Sequence, residues 1–180
     1  MPITTSDIKF KLSIKTGTAG NQSAQTDPNQ SLGKYISTTE IENATLNNLF
    51  DDVSGDENAA NDVEYRCFFI HNAHASLTWQ NPIIWISEEV AGGASIAIGV
   101  DPTAASPIGS SQAQALEIAD EDTAPSGVSF SSPTSKGTGL SVGNLSAGYC
   151  KAIWVRRTCS NSAAKNNDGA TFTVEGDTAE

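Results

Sequence analysis

Residues 63–87, VEYRCFFIHNAHASLTWQNPIIWIS, hold both histidines, two of the three tryptophans and one of the three cysteines of this 180-residue chain. Two readings compete for the stretch: a metal site built on His71 and His74, or the framework of a fold whose work is done on its surface. From Val63 to Asn72, Val63, Tyr65, Cys67 and Phe69 take one face of an extended strand, and Phe68 and Ile70 take the other. A strand apolar on both faces is covered on both sides and lies centrally in its sheet. Asn72-Ala73-His74 then turns the chain, Ser76–Trp79 resumes as strand, Gln80-Asn81-Pro82 turns again, and Ile83–Ser87 forms another strand. The two imidazoles straddle a turn with no third ligand near them in sequence, so they read as polar caps at a strand end and not as a zinc or copper site.

Working outward, Ile8, Phe10, Leu12 and Ile14 alternate with Lys9, Lys11, Ser13 and Lys15. That is a half-buried strand with a cationic outer face. Residues 16–34 lack apolar periodicity and are rich in turn formers, which predicts a flexible loop or arm within a single domain spanning 1–180. The stretch 37–50 offers a capping box, Thr38 or Thr39 with Glu42, and predicts at most a short helix. Further strands are expected over 94–100, 115–118, 127–130, 139–142, 147–158 and 169–176. Roughly nine or ten short strands without long helices between them predict an all-β fold, an antiparallel β-sandwich. Spacing leaves immunoglobulin-like and jelly-roll topologies both open. Tyr65, Phe69, Trp79, Trp85, Trp154 and Phe172 fall inside these strands and are expected in the core.

Hydrophobic residues make up 38% of the chain and charged ones 17%, and the formal net charge is −11. The charge is unevenly spread. From Tyr35 to Ser135 there are fifteen acidic residues and one basic residue, Arg66, a balance of −14, whereas the two ends carry six acidic and nine basic residues, a balance of +3. An acidic middle repels phosphate backbones, which makes nucleic acid a poor partner. No apolar run is long enough for a membrane span, and the N-terminal residues lack signal-peptide order, so a soluble, unexported protein is expected. Cys67, Cys150 and Cys159 are widely spaced and odd in number, which fits buried free thiols; a Cys67–Cys150 bridge between facing sheets is the alternative.

The catalytic signatures are missing. The chain has no G-x-S-x-G, no Walker loop, no dinucleotide-binding fingerprint and no EF-hand order in its acidic clusters 51–57 and 117–122. No enzyme, cofactor or metal is expected. The order NLFDDVSGDENAANDVEYRCFFIHNAHASLTWQNPIIWIS, followed by NLSAGYCKAIWVRRTCSNSAAKNNDGATFTVEGDT, resembles small structural proteins of tailed-bacteriophage virions. The resemblance rests on Leu49-Phe50-Asp51, Glu64-Tyr65-Arg66-Cys67, Asn72, Trp154-Val155-Arg156-Arg157 and Glu175-Gly176-Asp177-Thr178, and covers about half the chain. It implies a β-sandwich that decorates the capsid exterior as a cement protein, assembled in the host cytoplasm, with tail, neck or fibre association as the alternative. A host-surface or glycan-binding module is a third possibility and requires an exposed aromatic platform. The expected partners are the major capsid protein or another virion protein, and further copies of the chain as a dimer or trimer. For attachment the expectation falls on the basic edge: Lys9, Lys11, Lys15 and, at the end of the arm, Lys34.

Overall fold

A computed structural model describes residues 2–17, 19–20 and 22–178. Its strands in chain order are β1 (Ile8–Ile14), β2 (Tyr35–Glu40), β3 (Val63–Asn72), β4 (Trp79–Glu89), β5 (Ser95–Val100), β6 (Ser106–Pro107), β7 (Leu140–Ser141), β8 (Tyr149–Thr158) and β9 (Ala170–Thr178), with one short helix, α1 (Gly55–Ala60), before β3. They form two antiparallel sheets. The larger runs β2-β1-β3-β8-β5 with β6 beside β8, and the smaller runs β7-β4-β9. This is the expected all-β, sandwich-like fold of antiparallel sheets.

β3 sits at the centre, as its two apolar faces require. Phe68 and Ile70 turn toward the small sheet and pack with Leu12, Ile98, Ile153 and Val155 against Trp79, Ile84, Ile86, Val142 and Leu145. Phe172 of β9 joins them, its ring stacked on Phe68 with centroids 5.6 Å apart. Cys67 and Phe69 turn the other way and form a second core with Leu32, Ile36, Ala115, Ile118, Cys150, Ala152 and Trp154. The molecule is therefore layered: small sheet, large sheet, then a covering of loops. Burial at each large apolar site stabilises by roughly 1.5–3 kcal/mol, and the loop covering supplies a share of it.

The covering layer is pinned by buried polar side chains. The Asp101 carboxylate accepts from the Trp154 indole N–H at 2.7 Å and the Leu116 N–H at 2.9 Å. Gln114 accepts from the Ile36 N–H at 3.0 Å and donates to the Pro107 carbonyl at 2.9 Å. Residues 115–118 and 127–130, expected as strands, are coil. Only isolated bridges mark them, Gly33 to Glu117 and Ile98 to Ser131, and Pro125 and Gly127 interrupt any longer ladder.

Two further expectations are corrected. The helix expected within 37–50 is absent, since its first residues belong to β2 and pair with β1. Ser37, Thr38 and Thr39 suit a pleated strand better than a helix. The capping box forms instead at Ser54, which accepts from the Glu57 N–H at 3.2 Å while Glu57 accepts from the Ser54 N–H at 2.6 Å. That opens α1, which ends at Asn61 in the left-handed region, φ 56°. The expected flexible arm over 16–34 is, from Gln25 on, tied into the body; Thr18 and Asn21 lie outside the described residues. Where β1 bends away beyond Leu12, Ser31 steps into the ladder. Its carbonyl accepts from the Cys67 N–H at 2.7 Å, and its hydroxyl donates to the Cys67 carbonyl at 2.6 Å.

Candidate interaction surface

The four lysines expected to attach a partner are engaged within the chain. Lys11 lies on the face of β1 away from the small sheet, as its parity predicts, but the covering layer leaves it 8% exposed, and desolvation lowers its pKa. Lys9 pairs with Glu40 at 3.3 Å. Lys15 donates to the carbonyls of Ile118 and Ala119 at 2.9 and 3.1 Å, and Lys34 pairs with Glu117 at 3.0 Å. Lys9, Lys15 and Lys34 stay partly exposed while making these contacts, and Lys11 alone of the four is buried. Period-2 alternation assigned the right face but could not reveal that loops cover it.

The histidines separate. His74 caps the turn as expected, its Nδ1 accepting from the N–H groups of Ser76 and Leu77 at 3.2 and 3.0 Å. His71 is no strand-end cap. It lies inside β3 opposite Cys150 of β8 and Lys9 of β1, 5% exposed, with no hydrogen-bond partner at either ring nitrogen among the described residues. Burial, and then the charge of Lys11, pushes its pKa down to about 4. Cys67, Cys150 and Cys159 are free and buried. Cys67 and Cys150 stand on adjacent strands of one sheet, not on facing sheets. Burial pushes the Cys150 thiol up to about 12 and the Cys67 thiol well above its ordinary range, so neither has the thiolate character of a nucleophile. No group of three or more metal-ligating side chains occurs among the described residues, and no helix there is long and apolar enough to cross a membrane.

Five of the residues that carried the resemblance, Phe50, Asp51, Glu64, Arg66 and Arg157, meet in one ionic knot whose centre, Glu64 with the two guanidiniums, is buried. Glu64 accepts from Arg157 at 2.6 Å through Nε and 2.5 Å through Nη2, with Arg66 at 3.9 Å. Arg66 also pairs with Glu121, and Arg157 reaches Asp51 at 3.3 Å. The Phe50 ring packs against both guanidiniums, 5.2 Å from Arg66 and 4.7 Å from Arg157. Burial holds the Glu64 carboxyl above its usual range despite both cations. The knot fastens loops 49–52 and 119–122 to the large sheet, with Glu64, Arg66 and Arg157 buried and Asp51 and Glu121 at its rim.

What remains outward is the small sheet. Ile84 and Ile86 are buried against the large sheet, so the alternate residues Ile83 and Trp85 face away from it, and both lie outside the two cores. Across the ladder their partners are Glu175 and Thr173. Trp85 was expected in the core with the other aromatics, and this is a correction. The signal available was the alternation of β9, where Phe172 and Val174 interleave with Thr171, Thr173, Glu175 and Asp177, a strand with one wet face.

The edges of the sheets differ as well. The free side of β2 is covered by 23–25, with the Thr38 N–H donating to the Ser23 carbonyl at 2.9 Å. That of β5 is covered by Ser131, which exchanges both backbone bonds with Ile98 at 2.8 and 3.0 Å. β9 pairs with β4 alone, and its other edge has no backbone partner among the described residues. No family model, curated protein or solved structure matches the chain.

Proposed function

We propose that this protein is a non-enzymatic structural component of a tailed-phage particle, a decoration protein that binds the assembled capsid shell from outside and stabilises it. The observation that carries the reading is the small sheet's outward face, with Ile83 and Trp85 outside both cores beside a nine-residue edge strand that nothing among the described residues covers. A sheet face carrying the half-buried Ile83 and Trp85, beside a strand edge with no backbone partner among the described residues, is suited to binding an ordered surface. The resemblance of residues 48–86 and 144–178 to virion proteins supplies the kind of surface. A ligand that binds the assembled lattice and not free subunits stabilises the lattice by mass action. Self-association as a dimer or trimer fits the local symmetry positions of a shell.

The test is co-sedimentation of the purified protein with undecorated expanded heads, unexpanded heads and tails of the phage that encodes it, with cryo-EM of any complex. Saturable binding to expanded heads, with a higher melting temperature of the particle, supports decoration. Binding to tails or necks alone moves the protein to the tail, neck or fibre reading, and no binding to any particle overturns the virion reading. Trp85 also favours a glycan-binding reading. Quenching of its fluorescence by host-surface saccharides, without particle binding, selects that one.

A further inference from the structure

We propose that β9 takes up an extended, positively charged segment of the partner as an added strand. This rests on the binding function above but concerns its mode. The Ile86 N–H donates to the Pro133 carbonyl at 2.8 Å, and the Pro82 carbonyl accepts from the Val142 N–H at 2.9 Å. Both groups point away from β9. In an antiparallel ladder, residues opposite one another turn their backbone groups either toward each other or both away. Phe172 lies opposite Ile86 and Val174 opposite Ile84, so these two turn their N–H and C=O groups to the free edge. The Thr171 carbonyl, one residue out of phase, accepts from the Ser87 hydroxyl of β4 at 3.1 Å, as this parity requires. Phe172 and Val174 keep their side chains in the core, which holds the outward backbone groups in register for strand addition.

Charge identifies the occupant. β4 and β9 together carry four carboxylates, Glu88, Glu89, Glu175 and Asp177, and no basic residue. Among the described residues Lys136 pairs with Glu175 at 2.6 Å. A second copy bringing the same β9 edge would add a second Glu175 and Asp177 against the first pair, so the edge repels itself and selects a cationic strand. Trp85 and Ile83 lie on the same face as Glu175 and offer apolar contact to the alternate side chains of that strand.

The probe is a blocked nine-residue peptide alternating lysine with valine or threonine, compared with its glutamate counterpart. Amide exchange of isotope-labelled protein is read by NMR. The lysine peptide is expected to slow exchange at Phe172 and Val174 at least tenfold at saturation, and the glutamate peptide to leave it unchanged. Glu175→Lys with Asp177→Lys keeps the core side chains and is expected to weaken lysine-peptide binding at least tenfold. Val174→Pro removes one outward N–H, and if it stays folded it should abolish the protection. Unchanged exchange at saturation, protection centred elsewhere, or undiminished binding by the charge-reversed protein overturns the proposal. Particle binding that survives the charge reversal, with peptide binding lost, overturns strand addition as the mode of attachment and leaves the decoration reading standing.

Discussion

His71 makes stability depend on acid in a direction that follows from its surroundings. The ring is buried in β3 with neither nitrogen partnered among the described residues, Lys9 and Lys11 approach from β1, Glu40 from β2, and Cys150 lies across the ladder on β8. In the unfolded chain an imidazole titrates near 6.5, and in the folded protein this one titrates at about 4. Between those values the unfolded chain binds a proton that the folded chain refuses. Stability therefore falls as pH drops through 6.5, and the loss is complete at about 4. At about 1.4 kcal/mol per pKa unit, the loss from this residue reaches roughly 3 kcal/mol. His71→Leu removes it. Because the variant also deletes two unpartnered polar atoms, it should be at least as stable as wild type at neutral pH, with about 1 kcal/mol of gain within reach. Urea unfolding followed by tryptophan fluorescence at three pH values from about 7 to 4.5 measures both effects. If wild type and His71→Leu lose stability in parallel over that range, or if NMR titration places His71 near 6.5, the reasoning is refuted.

Glu64→Gln leaves two guanidiniums facing a neutral amide and should cost about 3–5 kcal/mol, seen as a fall in melting temperature of roughly 6–20 °C; a fall under about 2 °C denies that the knot is buried. Native protein should react with a thiol reagent orders of magnitude more slowly than unfolded protein at Cys67 and Cys150, and fast stoichiometric labelling without denaturant contradicts their burial. EDTA should leave the melting temperature unchanged, whereas a drop of several degrees reversed by zinc or calcium reveals a metal site. Gly33→Ala should abolish folding or lower the melting temperature sharply, because φ is +91° and a Cβ there meets the Leu116 carbonyl oxygen; a variant of wild-type stability shows the loop is not held there.

The sequence by itself determined the strands whose side chains alternate and the rank of β3 among them. Phe68 and Ile70 against Cys67 and Phe69 can be satisfied only by cover on both sides, and the structure provides it with the small sheet and the loops. It also carried the parity of β1 over its regular part, where Lys9 and Lys11 alternate with Phe10 and Leu12. Only the tertiary structure decided that this face is covered, because residues 25–34 and 101–118 reach it through Ser31, Gln114 and Asp101, contacts between positions far apart that no local period encodes. The capping box shows the same limit: Thr38 or Thr39 with Glu42 and Ser54 with Glu57 look alike in sequence, and pairing with β1 excludes the first. Trp85 was read as core because an apolar residue within a strand is buried unless its sheet has one wet face, and which face is wet depends on what packs there. The free edge of β9 is likewise a property of assembly order: Ser23 and Ser131 happen to cover the edges of β2 and β5, and among the described residues nothing covers β9.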